Sequence, residues 1–211
     1  MVVAACIVPA VVIIAGLIYK QYQMSQEQLD QTTRLMARKV VADLDRELAS
    51  IESALKILAT SQNLMVGNFK SFHQQARDAL APSIVYNFIL TDPNGTQVLN
   101  TLRPYGSALP KAGTPPELEA VFSTRKTVLT SLFVGPVTGQ YILAMGVPVV
   151  VGDEVKYSLN IGLAPSRINE ILAKQTFADG WLIAVLDQNG TIVGRSRDAA
   201  RYIGQKPVPQ L

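Results

Sequence analysis

Apolar positions along the chain first crowd together, then take a helical rhythm, then alternate. Met1 to Ile18 (MVVAACIVPAVVIIAGLI) holds no charged residue. As a helix such a run rises about 27 Å, close to the hydrocarbon thickness of a bilayer. Tyr19, Lys20 and Tyr22 follow, where interfacial aromatics and a cation belong. Pro9 is tolerated in a membrane helix. No basic stretch precedes the run, and Gly16-Leu17-Ile18-Tyr19 is a poor cleavage site, so residues 1–19 are predicted to be an uncleaved anchor. Val3-Ala4-Ala5-Cys6 has the form of a lipoprotein box, but the apolar run continues past Cys6, where a mature lipoprotein turns polar.

From Lys20 to about Met65 there is no Pro or Gly, and helix formers dominate. Val41, Leu44, Leu48, Ile51, Leu55 and Leu58 recur at alternating spacings of three and four, a heptad-like seam. Asp43, Asp45, Arg46, Glu47, Glu52 and Lys56 occupy the other side. One long helix over residues 20–66 is predicted. Its seam suits two partners equally, the chain's own domain or a second copy of the helix. Gly67-Asn68 is its expected end.

The pattern then changes. Phe69 to Leu80 reads as a short amphipathic helix closed before Pro82. Ile84–Leu90 and Thr96–Leu102 read as strands around the turn Asp92-Pro93-Asn94-Gly95. A Gly- and Pro-rich loop covers Arg103 to Pro116, and Glu117 to Ser123 is a short helix. Strands are expected at Val128–Val134, Tyr141–Val151 and Val155–Gly162, then a helix at Pro165–Lys174 capped by Ser166. After Phe177 the pattern restarts: Asp187-x-Asn189-Gly190-Thr191-x-Val193 repeats Asp92-x-Asn94-Gly95-Thr96-x-Val98. The second unit holds one hairpin (strands Trp181–Leu186 and Thr191–Ser196) and a Pro-rich tail, and one hairpin buries no core alone. The chain therefore reads as the front part of a longer protein. The expected fold class is α+β.

Composition narrows the chemistry. With 48% hydrophobic and 17% charged residues the chain is not disordered. Net charge is +3 and the Lys and Arg residues are scattered, so nucleic acid is a poor partner. One cysteine, Cys6, precludes an internal disulfide, and one histidine, His73, leaves too few ligands for a zinc site and no catalytic triad. His73 lacks the surroundings of a phosphoacceptor. The two Asp-x-Asn-Gly turns lack the Gly and Glu of a calcium loop, and Gly135–Gly139 lacks the Lys and helix of a phosphate loop. No catalytic residue, metal site or cofactor is predicted. Tyr86, Asn87, Tyr141, Ser158 and Asn160 are polar residues on otherwise apolar strands and are candidates to face a pocket.

An apolar span, a long helix, and a mixed sheet with two Asp-x-Asn-Gly hairpins resemble the double Cache (PAS-like) sensor regions of bacterial receptors, above all of sensor histidine kinases. VYNFILTDPNGTQVLNT and YILAMGVPVVVGDEVKYSLNIGL resemble the core of the distal module, and DGWLIAVLDQNGTIVGRSRDAARYIGQ resembles the start of the proximal one. The resemblance implies an anchor (residues 1–19), a signalling and dimerisation helix (20–66), a membrane-distal module (67–176) and an incomplete membrane-proximal module (177–211). It implies residence in the inner membrane, with Lys20 onward periplasmic or extracellular. Positive-inside counting of Lys20, Arg34, Arg38 and Lys39 points the other way, a rule that long translocated domains weaken. A kinase, diguanylate cyclase or chemotaxis output would lie beyond Leu211. A membrane-tethered adaptor that binds no ligand is a reading from a different class. Amino-acid binders of the family carry Arg followed by Trp-Tyr. Here Arg103 and Tyr105 occupy a comparable loop without that pair, and Asn160 stands where an acidic residue is expected, so the resemblance does not extend to an amino-acid ligand. A small ligand, anionic in character, is expected to contact Arg103, Tyr105, Tyr141, Asn160 and Tyr86, in a cavity that opens under the loop 103–116.

Overall fold

The computed structural model describes residues 2–79, 87–110, 115–177 and 180–207, with side chains from Gly16 onward. The chain divides into two compact units, Met1–Asp43 and Leu44–Leu211. Helix α1 runs from Val2 to Ala59. Among the described residues no helix is long and apolar enough to cross a membrane. Most of the expected anchor, residues 1–15, lies outside the described side chains.

The long helix stops earlier than its composition suggested. The backbone N–H groups of Thr60 and Ser61 donate to Ile57 and Leu58 in tight closing turns, and Ser61 turns extended at ψ 133°. Its hydroxyl donates to Gln75 Oε1 at 2.6 Å. Serine and threonine compete for such local bonds, so they favour helix ends over helix interiors. A short α2 (Gln62–Met65) follows, Gly67 turns at φ +72°, and α3 spans Phe69–Ala79. Asn68 Oδ1 caps α3 by accepting from Ser71 N.

The strands form one antiparallel sheet of order β2-β1-β6-β5-β3, with β4 also on β5. They are β1 (Phe88–Thr91), β2 (Gln97–Asn100), β3 (Val128–Leu129), β4 (Phe133–Val134), β5 (Tyr141–Val151) and β6 (Glu154–Leu163). A 3-10 turn, Pro116–Glu119, runs into α4 (Ala120–Thr124). The single strand expected over 128–134 is two strands. At the break the Thr130 hydroxyl accepts from Ala144 N, taking a carbonyl's place in the ladder. The helix after β6 is α5 (Pro165–Ala173), and Ser166 does not cap it: Ala164 holds that position and Pro165, needing no N–H partner, opens the helix.

One sheet face carries Phe88, Leu90, Leu143, Met145, Val147, Val149, Leu159, Ile161 and Leu163 against Leu55 and Leu58 of α1 and Phe72 and Ala76 of α3. Leu48 and Ile51 pack on the same core. Within Leu44–Leu211 the helical seam therefore serves the chain's own sheet, whereas Val41 is 54% exposed. Arg167 of α5 ties to this part of α1, its Nη2 2.7 Å from Glu47 Oε1. Glu52 bonds Lys56 and Thr127, and the Lys56 ammonium, with the Thr127 hydroxyl next, holds its carboxyl below the ordinary range.

A second hairpin, β7 (Ala184–Leu186) and β8 (Ile192–Arg195), is followed by α6 (Ala199–Tyr202). It rests on α5, where a side chain at Gly194 would strike Ile168, and Val193 joins the main core.

Candidate functional site

Alternation along the strands gives the sheet a second, different face. It carries Asn87 just before β1, Thr91 at the end of β1, Gln97 and Asn100 of β2, and Ser158 and Asn160 of β6, all buried and all uncharged. They bond one another. Asn160 Nδ2 donates to Thr91 Oγ1 (3.1 Å) and Ile89 O (3.3 Å), and Ser158 Oγ donates to Asn160 Oδ1 (2.7 Å). Asn87 Nδ2 donates to Asn100 Oδ1 (3.2 Å), and Asn100 Nδ2 to Gln97 Oε1 (3.1 Å). Each such group left unpaired would cost about 1–3 kcal/mol, so the network is the condition for burying these residues. Two glycines make the room. Gly146 lies opposite Asn160 in the β5–β6 register, and a Cβ there would sit 2.4 Å from Asn160 Oδ1. A Cβ at Gly162 would sit 2.5 Å from Asn87 Oδ1.

A small recess of about 70 Å³ lies between this face and the turn Gly135–Thr138, lined among others by Asn87, Gln97, Asn100 and Ile142. A larger one, about 150 Å³, is lined by His73, Val98, Leu99, Asn100 and the loop Pro104–Leu109, so Asn100 borders both. A wide trough of about 810 Å³ separates Leu48, Glu52 and Lys56 from Arg125–Thr127 and Leu129. Among the described residues no three His, Cys, Asp or Glu side chains cluster as metal ligands.

The residues singled out in the sequence do not form one constellation. Asn160 is at the centre of the polar face. Arg103 is exposed, and it is its backbone carbonyl, not its guanidinium, that meets His73 Nε2 at 2.9 Å. Tyr105 is 47% exposed, its ring edge-on to His73 with centroids 5.9 Å apart. Tyr141 is away from both recesses, its ring against Gly204, where a Cβ would come within 2.5 Å. Tyr86 lies outside the described residues. Thr91, Gln97, Asn100 and His73 were not singled out as site residues. The signal for the first three was in the strands: polar residues on the face of Asn87 and Asn160 that carry no charge, whereas a solvated strand face is usually charged.

The two repeated hairpins match bond for bond. Asp92 Oδ1 accepts from Asn94 N and Thr96 N, and Asp187 Oδ1 from Asn189 N and Thr191 N. Thr101 Oγ1 accepts from Phe88 N, and Ser196 Oγ from Ile183 N. Both ladders slip at the same place, before Thr91 and before Leu186. Gly95 and Gly190 turn at φ +76° and +71°, open only to a residue without Cβ at little cost. The second hairpin adds cross-contacts. Asp187 Oδ2 accepts from Leu132 N (3.0 Å), and Gln188 and Asn189 donate to Ser131 Oγ. Burial opposes ionisation of Asp187, but the N–H groups of Leu132, Thr191 and Asn189 outweigh it and hold the carboxyl below its ordinary value.

No protein-family model matches the chain, and no curated protein is similar to it in sequence. Solved structures are similar in shape. The ligand-binding domain of the Pseudomonas fluorescens chemoreceptor CtaA, in complex with L-serine, aligns with a TM-score of 0.67 at 14% identity, over 86% of this chain and 77% of that one. That of the Pseudomonas aeruginosa amino-acid chemoreceptor PctC, with GABA, aligns at 0.58 and 16% identity over 82% and 78%. The ligand-binding domain of Mlp24, with asparagine, aligns at 0.56 and 18% over 86% and 73%. Such identities carry the fold and nothing finer, and the fold is the α+β, PAS-like arrangement of these domains: a long N-terminal helix, then an antiparallel sheet with flanking helices.

Proposed function

We propose that the chain is the extracytoplasmic ligand-sensing region of a membrane signal-transduction receptor. The observation that carries this reading is the buried, uncharged polar face of the sheet. A protein that needed only a core would fill that face with apolar side chains, since amides there add no net stability over a packed hydrocarbon. Asn87, Gln97, Asn100 and Asn160 supply amide donors and acceptors suited to a small polar metabolite. The chemoreceptor domains of like fold were solved with such molecules, among them L-serine, GABA and asparagine. Arg103, exposed and without an ion pair among the described residues, would receive an anionic group on the ligand.

In this reading residues 1–19 anchor the chain in the inner membrane, 20–66 carry the signal and pair with a second copy, 67–176 hold the ligand and 177–211 begin a second module. Binding biases one of two conformations and moves the helix relative to the membrane. The output is a sensor histidine kinase. A chemotaxis transducer is the second reading, favoured by the chemoreceptor origin of the similar structures.

A thermal-shift screen of amino acids, small carboxylates and neutral polar metabolites on the full chain tests the proposal. A ligand at a hundred times its Kd adds about 2.7 kcal/mol of stability, and Asn87→Ala should abolish that shift while the chain still melts cooperatively. If no compound shifts the melt, the sensing function is wrong. If Asn87→Ala leaves the shift intact, the polar face is not the site. A periplasm-dependent reporter fused after Gly67 should be active; a silent one would reverse the orientation.

A further inference from the structure

The 150 Å³ recess beside α3 has chemistry unlike that of the polar face. His73, the only histidine in the chain, is 4% exposed and lines it. Its Nε2 faces the Arg103 carbonyl at 2.9 Å, and a carbonyl only accepts, so Nε2 carries a hydrogen. Nδ1 has no hydrogen-bond partner among the described residues. In the neutral ring it is a bare acceptor, buried and unpaired, a state that protein interiors generally avoid. The other lining residues are Asn100, Tyr105 and Ser107, which bring amide and hydroxyl groups, and Val98, Leu99, Pro104, Gly106 and Leu109; no carboxylate is among them.

From this we infer that the recess is a second ligand site, for a short monocarboxylate bound by the His73 ring. The carboxylate enters with one proton from solvent. The proton ends on Nδ1, and the resulting imidazolium donates through Nδ1 to the ligand and through Nε2 to the Arg103 carbonyl. Both ring nitrogens are then satisfied, and the bound pair is neutral overall. The titratable groups about the ring are few. Arg103 and Tyr105 stand on the loop, Lys70, Arg77 and Asp78 are exposed on α3 itself, and neither β2 nor α2 carries any. No acid in the recess competes with the ligand for the imidazolium, and Val98, Leu99 and Leu109 receive its alkyl end. At interior packing density the volume holds about six non-hydrogen atoms, the size of propionate, butyrate or pyruvate. Asn100 is the wall that this recess shares with the polar face, and the His73 ring lines this recess alone, so its signals report on this site whether or not the polar face binds a ligand.

The single histidine makes the test direct. The full, untagged chain with 15N-labelled histidine gives one pair of ring nitrogen signals. At a pH where the ligand-free ring gives the bare Nδ1 signal, millimolar propionate, butyrate or pyruvate should move Nδ1 to the protonated position in a saturable way, and propionamide should not. His73→Gln, whose amide can still donate to the Arg103 carbonyl, should keep the native melt and weaken carboxylate binding about tenfold or more, as loss of a charge-assisted bond implies. The inference is overturned if none of the three carboxylates perturbs the ring, if they bind while Nδ1 stays bare, or if propionamide acts equally well.

Discussion

Asp187→Asn and Asp92→Asn form a controlled pair because the two aspartates close their turns alike and differ in the use of the second carboxylate oxygen. Each aspartate closes its own turn through Oδ1, and an asparagine oxygen can accept the same two backbone N–H groups. Among the described residues only Asp187 uses its second oxygen, at 3.0 Å from Leu132 N. In Asp187→Asn the amide nitrogen takes that place, donor facing donor, and the half-buried Leu132 N–H is left without its partner. A hydrogen bond to a charged group contributes about 1.5–3 kcal/mol. Partial exposure favours the low end, so Asp187→Asn should cost about 1–2 kcal/mol more than Asp92→Asn. In a domain of this size that is a Tm gap of roughly 2–8 °C. Urea or thermal unfolding measures it, and amide exchange at Leu132 should accelerate only in Asp187→Asn. The pH dependence has a fixed sign. The native Asp187 carboxyl titrates below its unfolded value, so its contribution is full above the unfolded range near pH 4 and is lost as pH falls through the lowered native value. Wild type and Asp187→Asn should converge in acid. Equal costs for the two substitutions, or unchanged exchange at Leu132, would refute the claim that this bond fastens the second hairpin to the sheet.

Two further outcomes follow from packing. Leu55→Ala, at a side chain 1% exposed in the core, should lose about 2–5 kcal/mol in denaturant unfolding, while Val41→Ala, 54% exposed, should change the chain's own stability by less than about 0.5 kcal/mol; equal losses would mean that the whole seam is buried alike. Gly146→Ala puts a methyl group 2.4 Å from Asn160 Oδ1 and should cost about 1–3 kcal/mol by thermal melt; a neutral result would mean that the polar network shifts freely.

Much of this molecule follows from local pattern. The start of α3, the bounds of β5, the paired Asp-x-Asn-Gly hairpins and the α+β class come from short-range periodicity and turn chemistry, which act within a few residues and leave direct marks in the chain. Local chemistry also ended α1 at Ala59, where the Thr60-Ser61 pair outweighed an otherwise helical composition. The seam's spacing marked an apolar stripe but not its partner. Only tertiary contact assigned Leu48 to Leu58 to the chain's own sheet. The candidate sites were the least visible part. Arg103 and Tyr105 drew notice as residue types, yet it is the carbonyl of Arg103 that is used, and any residue would bring one. Asn87, Gln97, Asn100 and Asn160 become one surface only because three strands from distant parts of the chain align side by side, with glycines opposite the asparagines. Periodicity records which face of its own element a residue occupies. Which faces meet is set by strand register and by the free energy of closing the core, and these couple residues too far apart in sequence for any local signal to join them.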